Sequence, residues 1–300
     1  MTQDLAIGVD VGGTKTALAL VDVESGETLA HEEFATPPLA KTGAAFIEEI
    51  ARYASRLRDH AVQMGHDVGG IGIGLCEIVD REGHIASSHR IDWMQPHILK
   101  PLSNIAPVTL AADVRAAGYA EARLGQGKGR GHWLFINAGT GIVSVLMKGD
   151  LPYEGAHGRA LALGMSPACF VVHGEEAEPT VEDLAGGAGL AAAGQKAGLA
   201  GVTARDIIAR AAKGAAKEGA LARRAGAVFG RAVAFLVNTL DPEAVVLGGG
   251  LVGEPSPYLD ATITEARRYI YGSLDRELPI VTATLGPRAG VIGAALLSVH

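Results

Sequence analysis

Three hundred residues, 48% of them hydrophobic, can bury two cores of ordinary size, and 33 acidic against 26 basic side chains give a net charge of -7. That balance argues against nucleic acid or an anionic membrane as the main partner and leaves a small molecule. The two cysteines, Cys76 and Cys169, exclude a disulfide framework and a cysteine-rich zinc site. With no basic-then-apolar leader and no apolar run near the roughly 18 residues of a membrane span, the expected location is the cytoplasm.

In chain order, the apolar runs predict strands at about 5–10, 15–22 and 27–35, with Ser25-Gly26-Glu27 as the last turn. Phe46, Ile47, Ile50, Tyr53, Ala54 and Leu57 recur at helical spacing. A buried strand then runs from Val68 to Leu75, another covers 107–112, and Asp113 heads a helix over 114–124. Gly125 to Gly131, with Lys128 and Arg130, reads as a solvated hinge loop. Alanine-rich helices are predicted over 181–196, 203–213 and 216–239. A strand at 243–247 meets three glycines, and a helix at 257–270, a strand at 279–284 and a helix from 289 follow. Strands and helices in both halves mean an α/β architecture.

Two segments repeat each other. Leu5 to Lys15 runs apolar residues into Asp10 and the turn Gly12-Gly13-Thr14-Lys15; Leu134 to Gly141 runs them into Asn137 and Gly139-Thr140-Gly141. A glycine turn leaving a strand directs backbone N–H groups into one concavity and so suits phosphate. The first turn misses the P-loop pattern by one residue, because Thr14 stands where lysine must follow Gly13, and a strand rather than a helix comes next. Asp10 suits Mg²⁺ held through its water shell, against a plain Asx turn. For Asp113 two readings stand, a cap on the helix that begins at Val114 and a general base that takes a hydroxyl proton. Gly248, Gly249 and Gly250, with Gly253, match a dinucleotide fingerprint only weakly, since Glu254-Pro-Ser-Pro257 replaces the helix it needs; a shelf beneath adenine or a plain turn explains them equally.

On these motifs the chain resembles the ROK family of sugar kinases and sugar-responsive repressors, within the actin and hexokinase-like ATPase superfamily, over nearly its whole length. Asp10-x-Gly-Gly-Thr-Lys15 resembles the first phosphate motif, Gly139-Thr140-Gly141 the second and Leu247-Gly-Gly-Gly250 the adenosine motif. The resemblance implies a duplicated actin-like (ribonuclease H-like) fold of two domains around a cleft that closes on its substrates. The expected division is 1–112, completed by a terminal helix at 288–300, and 113–287. It implies ATP and Mg²⁺, Asp113 as base, a sugar-like acceptor and a homodimer or homotetramer. Because the chain opens directly on the phosphate motif, a kinase is expected rather than a repressor.

The chain also departs from the family pattern. Ala112 replaces the asparagine before the base; Ala162 and Met165 replace the glutamate and histidine of the sugar and zinc motif, so no zinc is expected, and Cys169 with His173 supplies too few ligands for it. Glu182 resembles a retained sugar-site glutamate. Glu77 follows Cys76 where the family has proline-glycine, and Arg90 stands where an asparagine precedes Trp93 by three residues, so Glu77 and Arg90 join Asp113 and Glu182 as candidate acceptor contacts. The leading expectation is an ATP-dependent kinase of a sugar or sugar derivative; the rivals are a weak or inactive sugar- or nucleotide-binding sensor derived from a kinase, and a nicotinamide dehydrogenase.

Overall fold

The computed structural model describes residues 5–38, 43–88, 99–160, 162–168, 178–272 and 277–299. Arg90, Trp93, Cys169 and His173 lie outside them. The chain divides into two compact units, one of residues 1–129, 150–160 and 287–300, the other of 130–149 and 161–286.

Unit 1 opens on a meander: β1 (Leu5–Val11), β2 (Lys15–Asp22) and β3 (Thr28–Ala35) pair antiparallel. Helix α1 (Ala44–Gln63) buries Phe46, Ile47, Ile50, Ala54 and Leu57, the stripe its spacing predicts. The chain then enters β4 (Val68–Leu75), parallel to β1, passes the short α2 (Lys100–Ser103), and forms β5 (Val108–Ala112), parallel to β4. The strand order is β3-β2-β1-β4-β5. After β5 comes α3 (Asp113–Leu124), and a two-residue strand, β8 (Leu151–Pro152), lies further along the same unit.

Unit 2 begins with β6 (His132–Ala138) and its antiparallel partner β7 (Ile142–Lys148). Helices α4 (Val181–Ala185), α5 (Gly187–Lys196), α6 (Ala204–Ala212) and α7 (Ala216–Leu240) follow, then β9 (Val245–Gly248), α8 (Pro257–Tyr269) and β10 (Ile280–Thr282). β9 runs parallel to both β6 and β10. The run β7-β6-β9-β10 therefore repeats the order and sense of β2-β1-β4-β5. The repeat extends to single residues: Asp10 pairs with Gly74 across β1 and β4, as Asn137 pairs with Gly248 across β6 and β9.

The last helix, α9 (Ala289–Leu297), is apolar on every face and buried in unit 1, as a helix covered all round must be. It reaches β4 because β4 lacks side chains where they meet: a Cβ on Gly72 would lie 1.7 Å from the Ala294 carbonyl oxygen. Its other side meets α3, where Gly293 lies against the Ala116 carbonyl.

Two expectations need correction. The helix predicted over 181–196 is two helices, because Gly186 turns extended (φ -70°, ψ 164°) and starts α5 afresh. The boundary expected at 112/113 falls inside unit 1, because α3 packs on α9 rather than on the second core.

Candidate active site

In unit 1 the turn after β1 is a tight hairpin, not the head of a helix. The Gly12 N–H donates to the Lys15 carbonyl at 3.0 Å, and β2 starts at once. Thr36 braces it from outside: its hydroxyl donates to the Gly12 carbonyl at 2.8 Å and its N–H to the Thr14 carbonyl at 3.1 Å. Lys15 points outward, its Nζ 2.8 Å from Glu33 on β3, an exposed pair of small energetic weight that a competing anion can open.

Asp10 is the penultimate residue of β1, beside this turn. Burial raises its carboxyl to about 6, the Lys15 charge partly offsetting the rise. Its carboxylate accepts no hydrogen bond among the described residues. α9 also crosses close here: a Cβ on Gly290 would stand 2.7 Å from Asp10 Oδ2. Asp113 sits where β5 passes into α3. It is the first helical residue rather than the cap, since Ala112 occupies the cap position without a side-chain bond. Burial raises the Asp113 carboxyl to about 7, the Asp10 charge adds to the rise, and the Val114 N–H, donating to Oδ1 at 2.6 Å, opposes it. Two desolvated carboxylates that each hold a proton more tightly than in water mark a place suited to proton transfer or to a cation.

Glu77 and Glu182 each have a committed partner. Glu77 is buried and accepts from the Ser87 hydroxyl, whose oxygen in turn accepts the Ile78 N–H at 2.8 Å, so it braces the loop after β4. Nearby, Asp80, Glu82 and His84 form a group of potential metal ligands, yet the turn itself accounts for them: the Glu82 and His84 N–H groups donate to Asp80 Oδ1 at 3.0 and 2.8 Å. In unit 2, Glu182 Oε2 accepts the Ile142 N–H at 2.8 Å, tying α4 to the exit of the second hairpin.

That hairpin is anchored a second time by α5. The N–H groups of Gly187 and Ala188 donate to the carbonyls of Gly139 and Thr140 at 2.9 and 3.0 Å, while Gly139 N–H closes the turn on the Gly141 carbonyl at 2.9 Å. Gly248 to Gly250 leave β9 alongside it, with Gly249 at φ +96° and the Leu251 N–H donating to the Ala138 carbonyl at 3.0 Å. Gly139 to Gly141 and Gly248 to Gly250, separated by about a hundred residues, thus meet at the carboxyl ends of parallel strands, where α/β sheets bind ligands.

The family model described as ROK family matches residues 6–300. The chain belongs to the ROK family. It is 29% identical to a glucokinase of Streptomyces coelicolor, covering 98% of this chain and 97% of that one, and 30% identical to the N-acetylmannosamine kinase of Shigella boydii serotype 18, covering 97% of each. Among solved structures it is similar to a ROK family glucokinase from Streptomyces griseus in complex with glucose and AMPPNP, at a TM-score of 0.84 and 28% identity, covering 98% of this chain and 99% of that chain. The fold is the duplicated α/β fold of actin-like ATPases that the motifs imply.

Against the ROK pattern, the departures at Ala162 and Met165 take a definite form. Residues Leu163–Met165 make one short 3-10 turn with Leu163 and Gly164 buried, and Met165 is 71% exposed. Arg115, on α3, escaped the sequence reading altogether: it is buried, and its guanidinium bonds to three points far along the chain. A charged residue in the first turn of a helix carries no local signal of that role.

Proposed function

We propose that this ROK sugar kinase transfers the γ-phosphoryl group of ATP to a sugar hydroxyl with Asp113 as general base. The observation that carries the reading is the raised carboxyl of Asp113, to about 7, at the junction of β5 and α3 and close enough to Asp10 to feel its charge. Such a carboxylate takes a hydroxyl proton as the oxygen attacks phosphorus, and near neutral pH it can return that proton to water. The glycine turns at 12–13, 139–141 and 248–250 suit the nucleotide, since they offer backbone without side chains.

The donor set near Asp10 fits Mg²⁺. A desolvated carboxylate with no hydrogen bond among the described residues gains from a divalent cation. Bound there, the ion would neutralise charge on the phosphate oxygens. Lys15 exchanges Glu33 for a phosphate at little cost, because its ion pair is exposed.

The relatives, a glucokinase and an N-acetylmannosamine kinase, support a sugar or sugar derivative as the acceptor. With Ala162 and Met165 unable to grip hydroxyls, the acceptor contacts we propose are Asp113, Glu182, Glu77 and Arg90, the last outside the described residues. ATP consumption measured over aldoses, N-acetylated amino sugars, polyols and sugar acids, with product identified by mass, tests the reading. A phosphorylated sugar whose formation Asp113→Asn slows by roughly three orders of magnitude or more, with nucleotide affinity retained, is the expected result. Nucleotide binding with no product from any acceptor would favour the sensor; NADH binding without ATP binding would favour the dehydrogenase.

A further inference from the structure

Arg115 lies two positions beyond Asp113, only 7% exposed, and the proton transfer gives it no part. Its guanidinium is nevertheless engaged on three sides. Nη1 donates to Glu154 Oε1 at 2.7 Å, and Nη2 donates to the Val79 carbonyl at 2.8 Å and the Gly158 carbonyl at 2.6 Å. The three acceptors belong to two further segments of unit 1: the loop after β4 and the stretch 154–160, which the Ala160 N–H closes on the Glu154 carbonyl at 3.3 Å. A planar fork with fixed donor directions holds such points in one arrangement; an ammonium on a flexible stem does not.

The junction is closed from the far side as well. Gly158 has φ +68°, and a Cβ there would stand 2.5 Å from the Val79 carbonyl oxygen and 3.1 Å from Arg115 Nη2. Glu77 and Ser87 brace the loop that presents Val79, so the carbonyl that Arg115 uses belongs to a stiff segment. Elsewhere this first turn of α3 comes close to glycines of β4 and α9. A Cβ on Gly74 would lie 3.5 Å from the Asp113 Cα and 3.7 Å from the Ala116 Cβ, and Gly293 of α9 lies against the Ala116 carbonyl. Such contacts set a distance but permit sliding, whereas three directed hydrogen bonds do not.

We propose that Arg115 is a positioning residue for phosphoryl transfer: by pinning the first turn of α3 to the loop after β4 and to 154–160, it sets where the Asp113 carboxyl stands. The inference rests on Asp113 being the base. Because none of the hydrogen bonds of Arg115 goes to the glycine turn at 12–13 of unit 1, its loss acts on the chemical step and on the acceptor, and leaves the nucleotide alone.

The test compares Arg115→Met, Arg115→Lys and Gly158→Ala with wild type, using the acceptor found by the screen and only protein with native circular dichroism, well below its melting temperature. Arg115→Met should lower kcat by roughly 10- to 100-fold with KM for ATP within about twofold, since a misplacement near 1 Å costs up to about that much. Arg115→Lys should recover part of the loss, and Gly158→Ala, which strains the same junction from its other side, should lower kcat in the same way. If Arg115→Met does not fold, the other two variants carry the test. Folded variants that keep wild-type kcat, or that raise KM for ATP by the same factor as they lower kcat, would overturn the inference. Asp113→Asn is the control: if it retains turnover, the base itself is wrongly assigned, whereas its failure beside normal Arg115 variants sinks the positioning role alone.

Discussion

A carboxylate is a more effective base near neutral pH when the fold holds its proton more tightly than water does, and the same tightening has a cost in stability. Asp113 is raised by burial first and by Asp10 second, to about 7. With Asp113 as the proposed base, kcat/KM should fall about tenfold per pH unit below pH 7; a flat profile from pH 8 to 5.5 would remove Asp113 from proton transfer. The stability effect has a definite sign. The folded value lies above the unfolded one, near 3.9, so the stabilisation is complete below about pH 4 and is lost as pH rises through about 7. Asp113→Asn, which never ionises, should therefore melt a few degrees above wild type at pH 8, the gap closing towards pH 4; scanning fluorimetry across pH would show it. Asp113 stood out in the sequence because an aspartate between an apolar run and a helical pattern is a local signal; that signal fits a helix cap as well as a base, and only the ROK resemblance adds the base. Arg115 was not, because its partners lie 36, 39 and 43 residues away.

At the scale of elements, α9 shows how much turns on missing side chains. The apolar run from 289 reads plainly as a helix, yet its seat against β4 depends on Gly72 and its passage beside Asp10 on Gly290. The two glycines should fail differently when changed. Gly72→Ala drives a Cβ into helix backbone and should destabilise by roughly 1–3 kcal/mol or more, as overpacking does, visible as a lower melting temperature and denaturant midpoint. Gly290→Ala meets a side chain that can rotate, so melting should change little, while with Asp10 as the proposed Mg²⁺ site turnover and its response to Mg²⁺ should suffer, because the Asp10 carboxylate is displaced. The break at Gly186 teaches the same point from unit 2. Local propensity continues one helix from 181 to 196, but the hairpin carbonyls of Gly139 and Thr140 draw α5 into a separate start.

For the molecule as a whole, two cores of separate membership stand behind the two units: one built on β1, β4 and α1, the other on β6, β9, α7 and α8. Calorimetry should accordingly give a total unfolding enthalpy larger than the van't Hoff value, resolving into two overlapping transitions; a single two-state transition would show the units to be one cooperative body. AMPPNP at about 100 times its Kd should add roughly 2.7 kcal/mol to whichever transition it is linked to. The sequence alone determined the α/β class, the duplicated hairpins and the family, since apolar periodicity and glycine turns are written within a dozen residues. The tertiary structure alone decided that Lys15 pairs with Glu33, that Glu182 ties a helix to the second hairpin, that Asp10 and Asp113 share one field, and that Arg115 joins three segments. Each depends on burial or on partners distant in the chain, and neither quantity exists until the chain has folded.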